Sequence, residues 1–252
     1  MRTIDLNSDL GEGFGPYRIA DDETLLDIIS SANLACGGHA GDPQVMFDTS
    51  AAALKRGVII GAHIGYPDRE GFGRRAFQMS NRELELMAIA QLGALSAVAA
   101  HAGHKLTHAN FHGALGNLSF VNQDVARILI QAIKTFDPNL VFVGLPHTQA
   151  FFEAERAGLR VVKSFLADRG YLPNGVLAPR GSDGALIKDA QKVRERLTRV
   201  LVEGKVEAVD GSSVEMPIDS VLIHSDTTGA AELANVIRET VLAAGATVRA
   251  FA

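Results

Sequence analysis

Four short segments carry β-type apolar runs into abrupt polar clusters: Ile4-Asp5-Leu6-Asn7-Ser8-Asp9, Leu34-Ala35-Cys36-Gly37-Gly38-His39, Val58-Ile59-Ile60-Gly61-Ala62-His63 and Ala109-Asn110-Phe111-His112. Each reads as a strand whose end bears reactive side chains, as in a parallel α/β barrel that gathers its active site from distant sequence. Between and after them the apolar spacing turns helical. Asp22 to Ile29 is a short helix candidate, and Asp42-Pro43 joins an N-cap to a first-turn proline, opening a helix to about Arg56 that Gly57 closes. Ser80-Asn81-Arg82-Glu83 has the form of a capping box. Leu84, Ala88, Leu92, Leu95 and Ala99 follow it at helical spacing and predict a helix almost to Gly103.

Val125, Ile128, Leu129, Ala132 and Ile133 mark another amphipathic helix. A strand at Leu140 to Val143, a helix near Thr148 to Ala157, a strand at Arg160 to Ser164 and a loop-rich passage from Ala167 to Asp183 come next. A helix from about Asp189 to Val202 precedes a small hairpin within Val206 to Pro217, turning at Asp210-Gly211. The strand Val221 to His224, the helix Ala230 to Ala244 and a last segment, Thr247 to Phe251, complete the pattern.

This βα order predicts a parallel sheet with right-handed crossovers. About seven or eight strands favour closure into a TIM-like barrel, with an open doubly wound sheet as the alternative. No G-x-G-x-x-G follows a strand and no G-x-x-x-x-G-K-[ST] occurs, so neither a dinucleotide site nor a P-loop is expected. At 252 residues and 47% hydrophobic, residues 1–252 suit a single barrel domain. The net charge of −5, without a basic stripe, argues against nucleic acid and anionic membrane as partners. The longest apolar stretches read as short strands, far from the ~20 residues of a membrane span. With no signal peptide before the first strand, a cytoplasmic protein is expected. Cys36 is the only cysteine, which excludes an internal disulfide and a thiolate metal cluster.

Eight histidines sort by position. His101, His104 and His108 fall at a helix end or in the loop after it, where a solvated or capping role fits; His147 is a weaker site candidate. His39, His63, His112 and His224 each follow a β-type run and converge at one mouth if the barrel closes. Asp9, Glu12, Asp42, Asp68, Asp168 and Asp226 fall in the same loops, although Asp42 is also an N-cap. Asp9 with His63 and His112 could hold a divalent metal, and the same groups could serve as general acid and base without one. Glycines crowd these loops, offering backbone N–H donors to an anion or oxyanion. Arg74, Arg75, Arg169 and Arg180 could bind an anionic substrate.

The motifs Asp5-Leu6-Asn7-Ser8-Asp9-Leu10-Gly11-Glu12, Ala32 to Pro43, Gly61 to Asp68 with Gly71 to Arg75, and His112-Gly113-Ala114-Leu115 resemble those of the LamB/YcsF family. The likeness continues through Ala167-Asp168-Arg169, Pro179-Arg180 and Asp210-Gly211-Ser212. It implies a distorted seven-stranded α/β barrel like that of carbohydrate deacetylases. It also implies the activity of the 5-oxoprolinase A-subunit: ATP-dependent opening of 5-oxoproline to L-glutamate with two partner subunits that resemble allophanate hydrolase halves. ATP would be used through those partners, and a homo-oligomer is compatible with the pattern.

On this reading Asp9, Glu12, His39, Asp42, His63 and His112 are the candidate catalytic residues. Asn7, Asp68, Arg74, Asn110, Asn117, Asp168, Arg169, Arg180 and His224 are the candidate substrate-binding residues. The chain departs from the family pattern at Ser8 (usually Cys), Asn110-Phe111 (Lys-Pro), Gly116 (Tyr) and Ser225 (Gly). Losing the lysine charge and the tyrosine ring predicts a pocket for a bulkier or less anionic ligand than 5-oxoproline. A deacetylase-like metallohydrolase acting alone, and a catalytically weakened binding or scaffold protein, are the competing expectations.

Overall fold

The structure, a computed structural model, describes residues 2–227 and 229–252. In chain order its elements are β1 (Thr3–Leu10), α1 (Asp22–Leu26), β2 (Ser31–Ala35), α2 (Pro43–Arg56), β3 (Ile59–Ile64), α3 (Asn81–His101), β4 (Leu106–Phe111), α4 (Gly113–Val121) and α5 (Gln123–Phe136). There follow β5 (Val141–Gly144), α6 (Gln149–Ala157), β6 (Val161–Leu166), α7 (Ala190–Glu203), β7 (Lys205–Glu207), β8 (Ser213–Glu215), β9 (Ser220–Ile223), α8 (Ala230–Ala243) and β10 (Thr247–Val248). Strands β1 to β6 pair in sequence and in parallel; β9 pairs with both β6 and β1 and closes a barrel of seven. Strand β10 adds to β1 outside the ring, and β7 with β8 forms the expected hairpin.

The helix ends follow their sequence signals. Asp42 Oδ1 accepts the Val45 N–H at 2.9 Å, Pro43 takes the first helical position, and Gly57 closes α2 at φ 68°. At α3 both halves of the Ser80–Glu83 capping box are formed. The core lies between the strands' outer faces and the surrounding helices, one cluster running from Ile4 to Ala246.

Three expectations need correction. Helix α3 is long and apolar enough by composition to cross a bilayer, contrary to the view that only short strands are apolar here. Its Leu84, Ala88, Leu92, Leu95 and Ala99 are instead buried against the barrel, and it packs on α2, α5 and β3. His108 is no loop residue: it lies within β4, fully buried, with Nε2 3.0 Å from Asn33 Oδ1. Helix α4 was not anticipated, because it starts on Gly113, carries Gly116 and has no side-chain cap.

The barrel lumen is divided. Asp5, Asn7 and Asp9 alternate along β1 and are hydrogen-bonded to Ser31 and Asn33 of β2. Opposite Gly61 and His63 of β3, His108 and Asn110 of β4 extend this polar half. Strands β5, β6 and β9 turn mainly apolar side chains inward, with Ser164 and Ser220 as buried polar residues among them. Val141, Val143 and Val162 form a small cluster with Phe251, whose ring also meets His108 edge-on; Leu145, Leu166 and Leu222 form a second cluster with Phe120 and Leu177.

Asp5 receives hydrogen bonds from Ser30, Ser31 and Ser220, yet burial pushes its carboxyl up to about 6. The folded chain therefore holds this proton more tightly than the unfolded chain, and stability falls as pH rises from about 4 to about 6. Two units correspond to about 3 kcal/mol lost above that window. In Asp5→Asn that segment of the stability profile, measured by chemical denaturation at stepped pH, is expected to flatten. Parallel profiles for parent and variant would assign the titration to another group.

Candidate active site

The strand ends converge as a barrel requires. His63 stands near the end of β3, His112 directly follows β4 as the residue before α4, and His39 and Glu12 occupy the loops after β2 and β1. Their ligand atoms all lie within 4.8 Å of one another and all four residues are buried. His39 Nε2 is 3.1 Å from Glu12 Oε1, and His112 Nδ1 and His63 Nε2 lie 3.5 Å and 3.9 Å from the same oxygen. The His39 and His112 rings stack with centroids 3.6 Å apart, and Phe72 closes over both edge-on. Gly73, at φ 61°, makes this closure feasible: a Cβ there would stand 2.6 Å from His39 Cβ and 2.9 Å from His112 Cδ2.

The hydrogen bonds fix which nitrogens carry protons. His63 Nδ1 faces the Asn110 amide oxygen at 2.7 Å and His112 Nε2 faces the Phe72 carbonyl at 2.8 Å, so both donate. The remaining nitrogens, His63 Nε2 and His112 Nδ1, then confront each other at 2.9 Å as lone pairs. Among the described residues, His39 Nδ1 is buried without a partner. Burial, with Asp9 and Asp226 nearby, raises Glu12 well above the usual carboxylate range, while burial and neighbouring rings hold His39 and His112 well below the usual imidazole value. Opposed lone pairs beside a carboxylate suit a proton or a cation, and the three imidazoles with one carboxylate fit a divalent first-row ion. The cluster includes Glu12 and His39; Asp9, expected as a ligand, stands beside it with Oδ1 3.5 Å from His63 Nε2.

Asp9 is held by Asn33 Nδ2 at 2.9 Å and borders a cavity that His63, His112, Asn110, Asn117 and His224 also line. His224 Nδ1 bonds Asp168 at 2.9 Å. Burial works against its charged form, but Asp168 and Asp9 outweigh that and raise its pKa; burial likewise disfavours the Asp168 carboxylate, which His224 nevertheless holds below the usual range. Arg74, Arg169 and Arg180 bring positive charge to the cavity wall. Arg74 is paired with Asp226, and Arg169 donates to the Ala178 and Ala185 carbonyls.

Other candidates lie apart from the cluster. Both Asp42 oxygens serve the backbone, at Val45 and Gly15. Asp68 is engaged by Arg75, which holds it below the usual carboxylate range, and by the Gly71 N–H. Asn7 lies deeper in the lumen on Ser31 and Asn33. His147 bonds the Glu215 carbonyl, tying the β5 loop to the hairpin. Sequence reasoning missed Asn33 and Phe72. The first had a signal: Ser31 and Asn33 alternate in β2 as Asp5, Asn7 and Asp9 do in β1, marking a polar lumen face. The second lies inside the Gly71-to-Arg75 motif, but only the folded loop brings Phe72 onto the histidines.

A model of the LamB/YcsF family matches residues 4–252. The chain is 50% identical over 247 residues to an Agrobacterium fabrum protein named as the second 5-oxoprolinase A-subunit of that organism, covering 97% of this chain and 96% of that one. Among solved structures, the lactam utilization protein from Thermus thermophilus superposes with a TM-score of 0.93 at 42% identity, covering both chains fully. A family 4 carbohydrate esterase from Streptomyces lividans, solved with acetate, superposes at 0.50 with 10% identity over 100% of this chain and 93% of that one, a likeness of fold alone.

Proposed function

Because the chain belongs to the LamB/YcsF family, we propose that it is the lactam-opening component of an ATP-dependent 5-oxoprolinase, converting 5-oxoproline to L-glutamate with partner subunits. The names of its relatives support a hydrolase of cyclic amides and, in being names of subunits, the existence of partners. The observation that carries the reading is the buried Glu12, His39, His63 and His112 cluster beside Asp9, on a cavity that also holds the His224–Asp168 pair.

A five-membered lactam is a stable amide, so its opening needs a polarised carbonyl, an activated water and a proton for the departing nitrogen. Asp9, positioned by Asn33, takes the proton of the attacking water. His224, oriented through Nδ1 by Asp168, presents its other nitrogen to the leaving nitrogen and returns a proton to it. Arg74 and Arg180 neutralise the substrate carboxylate or a phosphorylated carbonyl oxygen. A divalent ion held by Glu12, His39, His63 and His112 would, when bound, polarise the same oxygen. Phosphorylation by ATP falls to the partners, which we take to resemble allophanate hydrolase halves, in the cytoplasm. The absence of a P-loop motif in this chain agrees with that division.

The test is glutamate release from 5-oxoproline by the chain with its partner subunits and ATP, using Asp9→Asn and His112→Ala. Each variant is expected to lose at least about 100-fold in turnover. Parent rates in both would end the assignment. The opposed lone pairs of His63 and His112 favour one further reading, a metallohydrolase acting alone. Stoichiometric metal together with turnover in the absence of partners and ATP would establish that reading instead.

A further inference from the structure

One wall of the cavity is more apolar than a small, polar lactam requires. Beyond its catalytic side the cavity is bounded by Phe111, Phe120, Leu145, Leu166, Leu177 and Leu222. The leucines of β6, β9 and the β5 loop belong to a cluster of their own, separate from the main core, so their packing is completed at this cavity and not within the helical shell. Ser164 Oγ, on the same wall, is buried without a hydrogen-bond partner among the described residues, which leaves a polar atom for a ligand that reaches as far as β6. Gly116 places bare backbone at this face. A Cβ there would lie 2.8 Å from the Phe111 carbonyl oxygen, so the close approach of α4 to β4 requires glycine at this position. The amide oxygen of Asn110 is engaged by His63 Nδ1 at 2.7 Å.

We propose that, besides 5-oxoproline, the pocket takes and prefers carboxylated lactams carrying more hydrocarbon, either extra ring methylenes or an alkyl substituent, seated against the leucines of β6, β9 and the β5 loop. This rests on the cyclic-amide reading above and widens its substrate class. The amide and carboxylate face the polar half of the lumen with Arg74 and Arg180. The hydrocarbon faces the apolar half, and discrimination arises from burial of methylenes without any change in the hydrolytic groups.

Calorimetric titration of the full chain, alone and with its partner subunits, tests this with 5-oxoproline, its six-membered homologue 6-oxopiperidine-2-carboxylate, and 4-butyl-5-oxoproline. Each newly buried methylene is expected to tighten binding about 4-fold, so the butyl compound should bind at least about 10-fold more tightly than 5-oxoproline. Phe120→Ala is expected to shrink that ratio at least about 3-fold, by removing part of the wall. Affinity that is highest for 5-oxoproline and falls with every added carbon overturns the proposal. Failure of every cyclic amide to bind overturns it too. In that case ATP-dependent glutamate release, measured separately, decides whether the cyclic-amide reading falls as well.

Discussion

Glu12→Gln is expected to lower lactam-opening turnover about 10³-fold while raising the midpoint of thermal unfolding. Both effects have the same cause. The Glu12 side chain is buried, lies within reach of three imidazoles, and is pushed well above its ordinary pKa by burial and by Asp9 and Asp226. A folded-state pKa above the unfolded value means that stability falls as pH rises past the unfolded value, so at neutral pH the parent bears a penalty that the amide avoids. Glutamine keeps the shape and can still accept from His39. It cannot supply the negative charge that balances a bound cation or a protonated imidazole, and general acid-base or electrostatic groups of this kind carry about 10²- to 10⁴-fold in rate. Turnover and thermal unfolding are measured on the same preparations. Turnover within about tenfold of the parent would remove Glu12 from the reaction, and a lowered midpoint would show that its carboxylate supports the fold.

Gly61→Ala is expected to be the most damaging single methyl in the barrel. A Cβ at Gly61 would stand 2.2 Å from His108 Cδ2 and 2.4 Å from its Cγ. The ring has no free direction of retreat: it is fully buried, with Nε2 against Asn33 and Nδ1 against Thr107. Overpacking in a rigid interior costs about 3 kcal/mol, or about 6–12 °C in midpoint for a chain of this length. Combining it with His108→Ala should recover part of the loss, because the clash disappears even as Asn33 loses a partner. A soluble Gly61→Ala with the parent's midpoint, or a double variant no better than the single, would contradict this packing.

Much of the architecture was legible in local signals. Asp42-Pro43, Ser80 with Glu83, and Gly57 mark helix ends through backbone chemistry that acts within a few residues, and the structure keeps them. The convergence of His39, His63 and His112 followed from their position after strands. His108 was misjudged because polarity in a short segment ordinarily means a loop, whereas this lumen is polar along β1 to β4 and its strands carry polar residues inward. Glu12 and His39 were named from sequence beside Asp9, but which of the three closes the tight cluster was not legible, for another reason. Loop conformation after a strand decides which side chain turns inward, and no period encodes it. Helix α3 shows the converse, an alanine- and leucine-rich composition whose destination only tertiary packing reveals.

The ring is completed late in synthesis. Strand β9 joins β1 across more than four fifths of the chain, and the Asp5 carboxylate at that seam receives a hydroxyl from Ser220. A nascent chain that has emerged only through β6 therefore has β1 unpaired on one edge and its inward carboxylates and amides open to water. Closing so long a loop costs entropy before any seam contact is made, which makes this step the natural bottleneck of folding and leaves two unpaired strand edges exposed while it is pending. The same seam that organises the catalytic lumen thus sets when the protein first becomes competent, and makes its last third as necessary to the pocket as the strands that carry the histidines.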